Sequence, residues 1–272
     1  DAVSDNWGTL IVGDYEIIMP IPYTIKKGQP IIYQPFFSRQ IGVFSDAIIN
    51  DDEVEVFIEA IPEKFKLINF GFPLKLNGDF AFEEVVHQQL DLNSSFEDLQ
   101  QGFSTNTKRQ IKKAIKNEVQ IKALKEPGQL VNLFKASKGE EIGLNDSNFN
   151  HLDKLLVAGL ENKKATLLGA YQNDELIAAG YFFEENHRVT YLKGATNNTG
   201  RNLGAMYLIM NSMVEQHANT NVVLDFGGSK IESIANFYKK FGAVDSTYYL
   251  ISKNNLSWVL KKAKALRDKI KK

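Results

Sequence analysis

The sequence predicts an α/β protein made of two similar mixed-sheet units, with helices inserted between them and one more helix at the C-terminus. Three observations point there. Short β-branched and apolar runs alternate with helical patterns along most of the chain. A hairpin, an arginine-bearing loop, a helix and a strand ending in a small motif occur in that order twice. The first copy runs from Gly13-Asp-Tyr-Glu-Ile-Ile through Arg39 to Asn69-Phe-Gly71. The second runs from Asn173-Asp-Glu-Leu-Ile-Ala through Arg201 to Asp225-Phe-Gly227, about 160 residues later. The length of 272 residues is enough for one large core or two modest ones.

Composition narrows the function classes. A hydrophobic share of 43% with 24% charged residues fits a globular protein, and a net charge of -1 demands no polyanionic partner. The absence of cysteine excludes a thiol nucleophile, a disulfide framework and thiolate metal sites. No apolar run reaches bilayer-spanning length, and no signal peptide is visible, so the cytoplasm is the default expectation. The chain starts at Asp1 rather than Met.

Taken in order, strands are expected at Thr9–Val12, Tyr15–Pro20, Tyr23–Lys27 and Ile31–Tyr33. Pro20, Pro22, Pro30 and Pro35 favour edges or strand ends, because proline lacks the ladder N–H. Asp51-Asp-Glu53 opens a helix through Ala60, its acids in the first turn where the macrodipole favours them. Lys66–Phe70 and Val85–Leu92 read as strands. Ser104–Lys116 reads as a basic helix capped by Thr105 or Thr107, with Ile111 and Ile115 on one face. Leu130–Ile142 and Asn148–Leu160 follow as helices. Strands Ala165–Tyr171 and Glu175–Glu184 are joined by a turn at Asn173-Asp174, and Arg188–Ala195 is the next strand. A helix at Leu203–His217, a strand at Val222–Phe226, a helix at Ile231–Phe241 and a strand at Ser246–Ser252 complete the second copy. In the lysine-rich segment from Leu256 to Lys272, Leu256, Val259, Leu260, Ala263, Leu266 and Ile270 form one apolar stripe, which predicts a helix docked on the protein. The domains expected are 1–103, 104–255 with the linking helices, and the tail helix 256–272.

Two segments carry chemistry. In the first, Gly194-Ala-Thr-Asn-Asn-Thr-Gly200-Arg201-Asn-Leu-Gly204-Ala205, a strand ends in a glycine-bearing loop and a helix begins. Main-chain N–H groups there can take pyrophosphate oxygens, Arg201 can add a charged contact, and Ala205 permits close approach. Alternatively, Asn202 or Thr199 caps the helix and Arg201 lies in solvent. In the second, Asn221–Ser229 is followed by Ile231–Ala243. An apolar run ends in Asp225, Gly227 and Gly228, and the next helix ends in Tyr238, Lys239, Lys240 and Gly242. The glycines allow a ligand near the backbone; an ordinary βα unit with a polar loop is the plain alternative.

Together these segments resemble the GNAT acyltransferase superfamily. The Gly-Arg-x-x-Gly-Ala turn, the Asp-Phe-Gly-Gly strand end and the Tyr-x-x-x-Gly helix end resemble its tandem-domain Fem-type (FemAB/FemX-like) branch, which includes aminoacyl transferases of cell-wall precursors. Thr105–Lys116 is similar to a basic helix joining the domains of that branch, and Tyr33–Phe44 to its first-domain strand and turn. The resemblance implies two duplicated GNAT-like domains around a cleft, with the tail helix returned to the first. It implies transfer of an acyl or aminoacyl group from acyl-CoA or aminoacyl-tRNA to an amine, on a small molecule or a cell-wall precursor. No tightly bound cofactor, metal or DNA is expected; acyl-CoA is a candidate co-substrate.

The resemblance places a leaving-group tyrosine at Tyr238, and Lys239 is the candidate partner for a phosphate or oxyanion. Asp225, at a strand end beside glycines, is the best candidate base. Gly194, Gly200, Arg201, Asn202, Gly204, Ala205, Gly227, Gly228 and Ser229 would seat the donor. Tyr33, Gln34, Ser38, Arg39 and Lys193 would hold the acceptor. Plainer roles compete: Tyr238 as core with Phe237 or Phe241, Asp225 as a cap on the N–H groups of residues 228–230, and Lys239 and the Tyr33–Arg39 turn as surface. The phosphate loop departs from the family pattern. With Arg201 in its first place, Met206 fills the sixth; with Gly204 in the sixth, Thr199 and Asn202 replace the usual residues. Either register favours a donor other than coenzyme A, or lost activity in a binding or scaffolding module. His87, His151, His187 and His217 lack metal spacing and read as surface or capped residues. Contact of RNA with the tail lysines is a third reading.

Overall fold

The computed structural model describes residues 2–75, 80–139, 143–227, 231–256 and 258. The expected tail helix, Gly228 and Ser229 lie outside these residues. The chain forms two compact units, one of Val3–Val85 with Thr247–Lys272, the other of Val86–Ser246. The division falls near residue 85 rather than 103 because β6 (Ala81–Asp91) pairs with β11 (Val223–Gly227) through its second half, residues 88–91.

In the first unit the strands lie in the order β1 (Asn6–Val12), β2 (Ile17–Lys26), β3 (Gln29–Tyr33), β5 (Leu67–Phe72), β12 (Val244–Asn254), with β4 (Phe44–Ser45) on β2. The two strands expected at Tyr15–Pro20 and Tyr23–Lys27 are one. β1 pairs with β2 along residues 17–23, while β4 takes only residues 17–18 and β3 residues 23–26 on the other edge. Pro20 and Pro22 fall in the stretch with no second ladder partner, where a missing N–H is tolerated. α1 (Asp51–Glu59) starts in a capping box between Asn50 and Glu53. Met19, Ile21, Ile32, Phe57, Phe70 and Ile251 belong to the core.

In the second unit the order is β6, β11, β10 (Arg188–Thr196), β9 (Glu175–Glu185), β8 (Ala165–Gln172), β7 (Gln120–Ala123). β10 and β11 are parallel, as are β3 and β5; both pairs follow an antiparallel hairpin and are connected through helix. In each unit the second hairpin strand thus pairs in parallel with the strand that follows the helix. Helices cover both faces of the second unit's sheet. Successive strand residues point opposite ways, and Tyr181 donates to the Leu156 carbonyl of α5 (Asp146–Glu161) at 3.2 Å while the Phe182 ring packs on Tyr191 and the α7 side. α4 (Pro127–Phe134) joins α5. On the other side lie α7 (Ala205–His217), α8 (Glu232–Lys239) and α3 (Thr105–Lys116), which packs on α7.

Several boundaries moved. α2 (Phe96–Gln101) and β7 were not anticipated. Ser104, not Thr105 or Thr107, caps α3; Thr107 is buried and its hydroxyl donates to the Lys240 carbonyl at 3.0 Å. The helix expected over Leu130–Ile142 leaves α geometry at Lys135, where a π turn runs to Gly139. The helix expected at Leu203 begins earlier as α6 (Asn198–Leu203) and breaks at Gly204 before α7. No helix among the described residues is long and apolar enough to cross a membrane.

Candidate active site

β10 and β11 pair only from Arg188↔Val223 to Thr190↔Asp225 and then diverge, although β10 continues to Thr196. Among the described residues, the main-chain groups of residues 191–196 that face away from β9 have no ladder partner, and such groups take a ligand or water. A bulge at Leu192 interrupts the β9 ladder. It turns two nearby side chains to opposite faces. The Tyr191 ring packs edge-to-face on Tyr238 at 6.2 Å, whereas Lys193 Nζ sits 3.2 Å over the Phe134 ring of α4.

Tyr238 is 8% exposed and stacks on Phe226 at 5.1 Å, with Phe237 also in contact. Burial, and secondarily the Tyr238 phenol, holds Tyr191 well above the ordinary phenol range, so its hydroxyl stays protonated and reaches the Met206 sulfur at 3.5 Å. Gly194 makes room for that hydroxyl; a Cβ there would overlap it.

Asp225 is buried, and both of its carboxylate oxygens take part in contacts. Oδ1 lies 3.1 Å from His87 Nδ1 and accepts the Gly227 N–H at 2.9 Å; Oδ2 accepts Arg188 Nη1 at 2.8 Å. The expected cap on the N–H groups of residues 228–230 lies outside the described residues. His87, expected at the surface, is 3% exposed. The neighbouring residue of β6 makes a second, similar relay: Gln88 Nε2 donates to Asp245 Oδ1 at 2.9 Å, and Lys239 Nζ to Asp245 Oδ2 at 2.7 Å. Asp245 is held below its ordinary 3.8 by the Gln88 hydrogen bond first and then by Lys239. Gln88 is buried across the ladder from Gly227, and its Oε1 has no hydrogen-bond partner among the described residues. Tyr191, His87, Gln88, Arg188 and Asp245 escaped the sequence reading; His87 and Asp225 are 138 positions apart, and no local pattern announces them.

The expected phosphate turn is closed largely by the protein itself. Asn197 caps α6 through the Gly200 N–H at 2.8 Å, so neither Asn202 nor Thr199 is the cap. A Cβ on Gly200 would overlap the Ile177 carbonyl oxygen of β9. Gly204 is left-handed, with φ of 75°, and a Cβ would lie 2.8 Å from the Gln110 carbonyl of α3. Arg201 is exposed, bonded to the Thr196 carbonyl at 3.0 Å and to Asn198 Oδ1; Asn202 is exposed and Ala205 fully buried.

In the first unit, Gln34 uses both ends of its amide: Oε1 accepts the Gly71 N–H at 2.9 Å and Nε2 donates to Ser38 Oγ at 2.7 Å. The Tyr33 hydroxyl meets Ser4 Oγ at 3.1 Å. The Arg39 carbonyl lies where a Cβ on Gly71 would be, so the Tyr33–Arg39 turn is folded down on β5. Among the described residues no group of three or more histidine or acidic side chains is arranged for a metal.

None of the curated proteins matches the sequence. Solved structures give the fold. FemX is 13% identical with a TM-score of 0.68, covering 90% of this chain and 88% of its own. A conserved protein of unknown function from Bacteroides thetaiotaomicron is 9% identical with a TM-score of 0.61, covering 90% and 84%. L-PGS from Bacillus licheniformis is 12% identical with a TM-score of 0.56, covering 96% and 88%. The family model for the acetyltransferase (GNAT) domain matches residues 101–240, just over half of the chain and nearly all of the unit that holds the diverging strands. The chain belongs to the GNAT acetyltransferase family.

Proposed function

We propose that the second unit transfers an acyl or aminoacyl group from an activated donor to an amine. The divergence of β10 and β11 supports this most, because it leaves the edge of β10 at residues 191–196 open to an extended donor arm. Chemistry of this kind needs alignment of amine and ester or thioester more than covalent help from the protein. In this proposal the Tyr238 hydroxyl protonates the leaving group beside the diverging strands. Both Asp225 oxygens already hold donors, so we assign it to holding His87 and Arg188 in place, and a water takes the amine proton. Lys239 acts through Asp245 and Gln88. Arg201, the turn at Gly194–Ala205 and Gly227 at the end of β11 contact the donor. In the second unit Lys193 holds the acceptor; in the first unit Tyr33, Gln34 and Ser38 shape the turn that carries Arg39.

The fit of Gly200 and Gly204 against the protein's own backbone favours an aminoacyl-tRNA over acyl-CoA as donor, and it is also the best support for a non-catalytic binding module. Calorimetry with acetyl-coenzyme A and with a non-hydrolysable aminoacyl-tRNA separates these. Binding of either donor, weakened by Arg201→Ala, fits the transferase; binding of neither fits the module.

A further inference from the structure

We propose that the outward face of α3 is a docking surface for an acidic helix of a partner protein. The helix carries Lys108, Arg109, Lys112, Lys113 and Lys116 and no acid. Arg109, Lys112, Lys113 and Lys116 are exposed and Lys108 is half-buried. Lys108 Nζ donates to the Gln101 carbonyl at 3.1 Å and Arg109 Nη2 to Asn106 Oδ1 at 2.8 Å. Among the described residues none of the five forms an ion pair, whereas Lys122, Lys135, Lys164 and Lys239 each lie within 4.0 Å of a carboxylate. Positions 108, 112 and 116 form one row of like charge and positions 109 and 113 another, a spacing that opposes helix formation. α3 persists because Thr107, Ile111 and Ala114 are buried on its other face. A self-repelling face with no ion-paired counter-charge among the described residues suits an anion supplied from outside.

Three features choose among anions. The chain has a net charge of -1 and a pI near 6.5, so its bulk charge does not single out nucleic acid as the anion for this face. The exposed face of α3 has no aromatic ring on which a base could stack. Ile115, 59% exposed, sits among the cations. One isoleucine is too small an anchor for lipid, but it matches the apolar stripe of an amphipathic acidic helix. At twelve residues, α3 is about 18 Å long, which spans three turns of such a partner.

Fluorescence anisotropy of the full chain at about 50 mM salt, where surface charge pairing is strong, tests this with three labelled probes. They are a helical peptide with glutamates at i, i+4 and i+7 beside a leucine stripe, a 20-nucleotide single-stranded RNA, and phosphatidylcholine vesicles containing phosphatidylglycerol. The peptide should bind best. Lys112→Glu, Lys113→Glu and Lys116→Glu combined should weaken it about tenfold or more without lowering the melting temperature. Ile115→Ser should weaken it severalfold and leave its salt dependence unchanged. Tighter binding of RNA or vesicles, no binding of the peptide, or equal affinity in the triple variant would overturn the proposal.

Discussion

At Tyr238 one oxygen separates a packing role from a chemical one. The ring is held by Phe226, Phe237 and Tyr191 whatever the hydroxyl does. Tyr238→Phe should therefore cost about 1 kcal/mol or less in stability and lower turnover about 100-fold on an identified substrate; melting curves and initial rates measure the two. Gly200→Ala probes the opposite case. Its new methyl group meets the Ile177 carbonyl, so the unliganded protein should lose about 1–3 kcal/mol in urea unfolding. An unchanged midpoint would mean that the glycine is there for a ligand and not for β9. At this scale the sequence was readable for residue types and poor for partners. It marked Asp225, Gly204 and Tyr238 as special, because an acid before glycines and a tyrosine near a helix end are local signals. It could not show that Asp225 meets His87 and Arg188, since those contacts are made by the sheet and not by the motif.

At the scale of elements, strands and helices with clean periodicity were legible, and their interruptions were not. The break at Gly204 and the bulges at Leu192 and Phe226 arise where α3, β9 and β6 meet the segment; the glycine marks the first, and no residue type near the bulges marks the others. The same holds for the end of α8, where Lys239 is drawn to Asp245 at the start of β12 and Gln88 supports the pair from β6. This cluster has a pH signature. The folded state holds Asp245 below 3.8, so its contribution is present above that value and is lost as the pH falls through the lower folded-state value. Between about pH 6 and about pH 2, the melting temperature of the wild type should fall more steeply than that of Asp245→Asn, and the gap between them should close at the acid end. A constant gap would mean that the carboxylate does not feel Gln88 and Lys239.

At the scale of the molecule, the alternation of strand and helix patterns anticipated a mixed α/β fold, and composition ruled out thiol chemistry before any coordinates. The compact units divide near residue 85, where β6 follows the first copy in sequence yet pairs through its second half with β11. Family membership supplies acyl transfer as the reaction class, while the self-packed turn at Gly200 and Gly204 leaves the donor to be identified. The decisive measurement is mass-spectrometric detection of acylated amine after incubating the protein with acetyl-coenzyme A or charged tRNA and a panel of amine acceptors, including peptidoglycan precursors. A product that forms with the wild type and drops about 100-fold with Tyr238→Phe is expected. Absence of product with every donor, or equal yields from both proteins, would contradict a transferase built on the diverging strands.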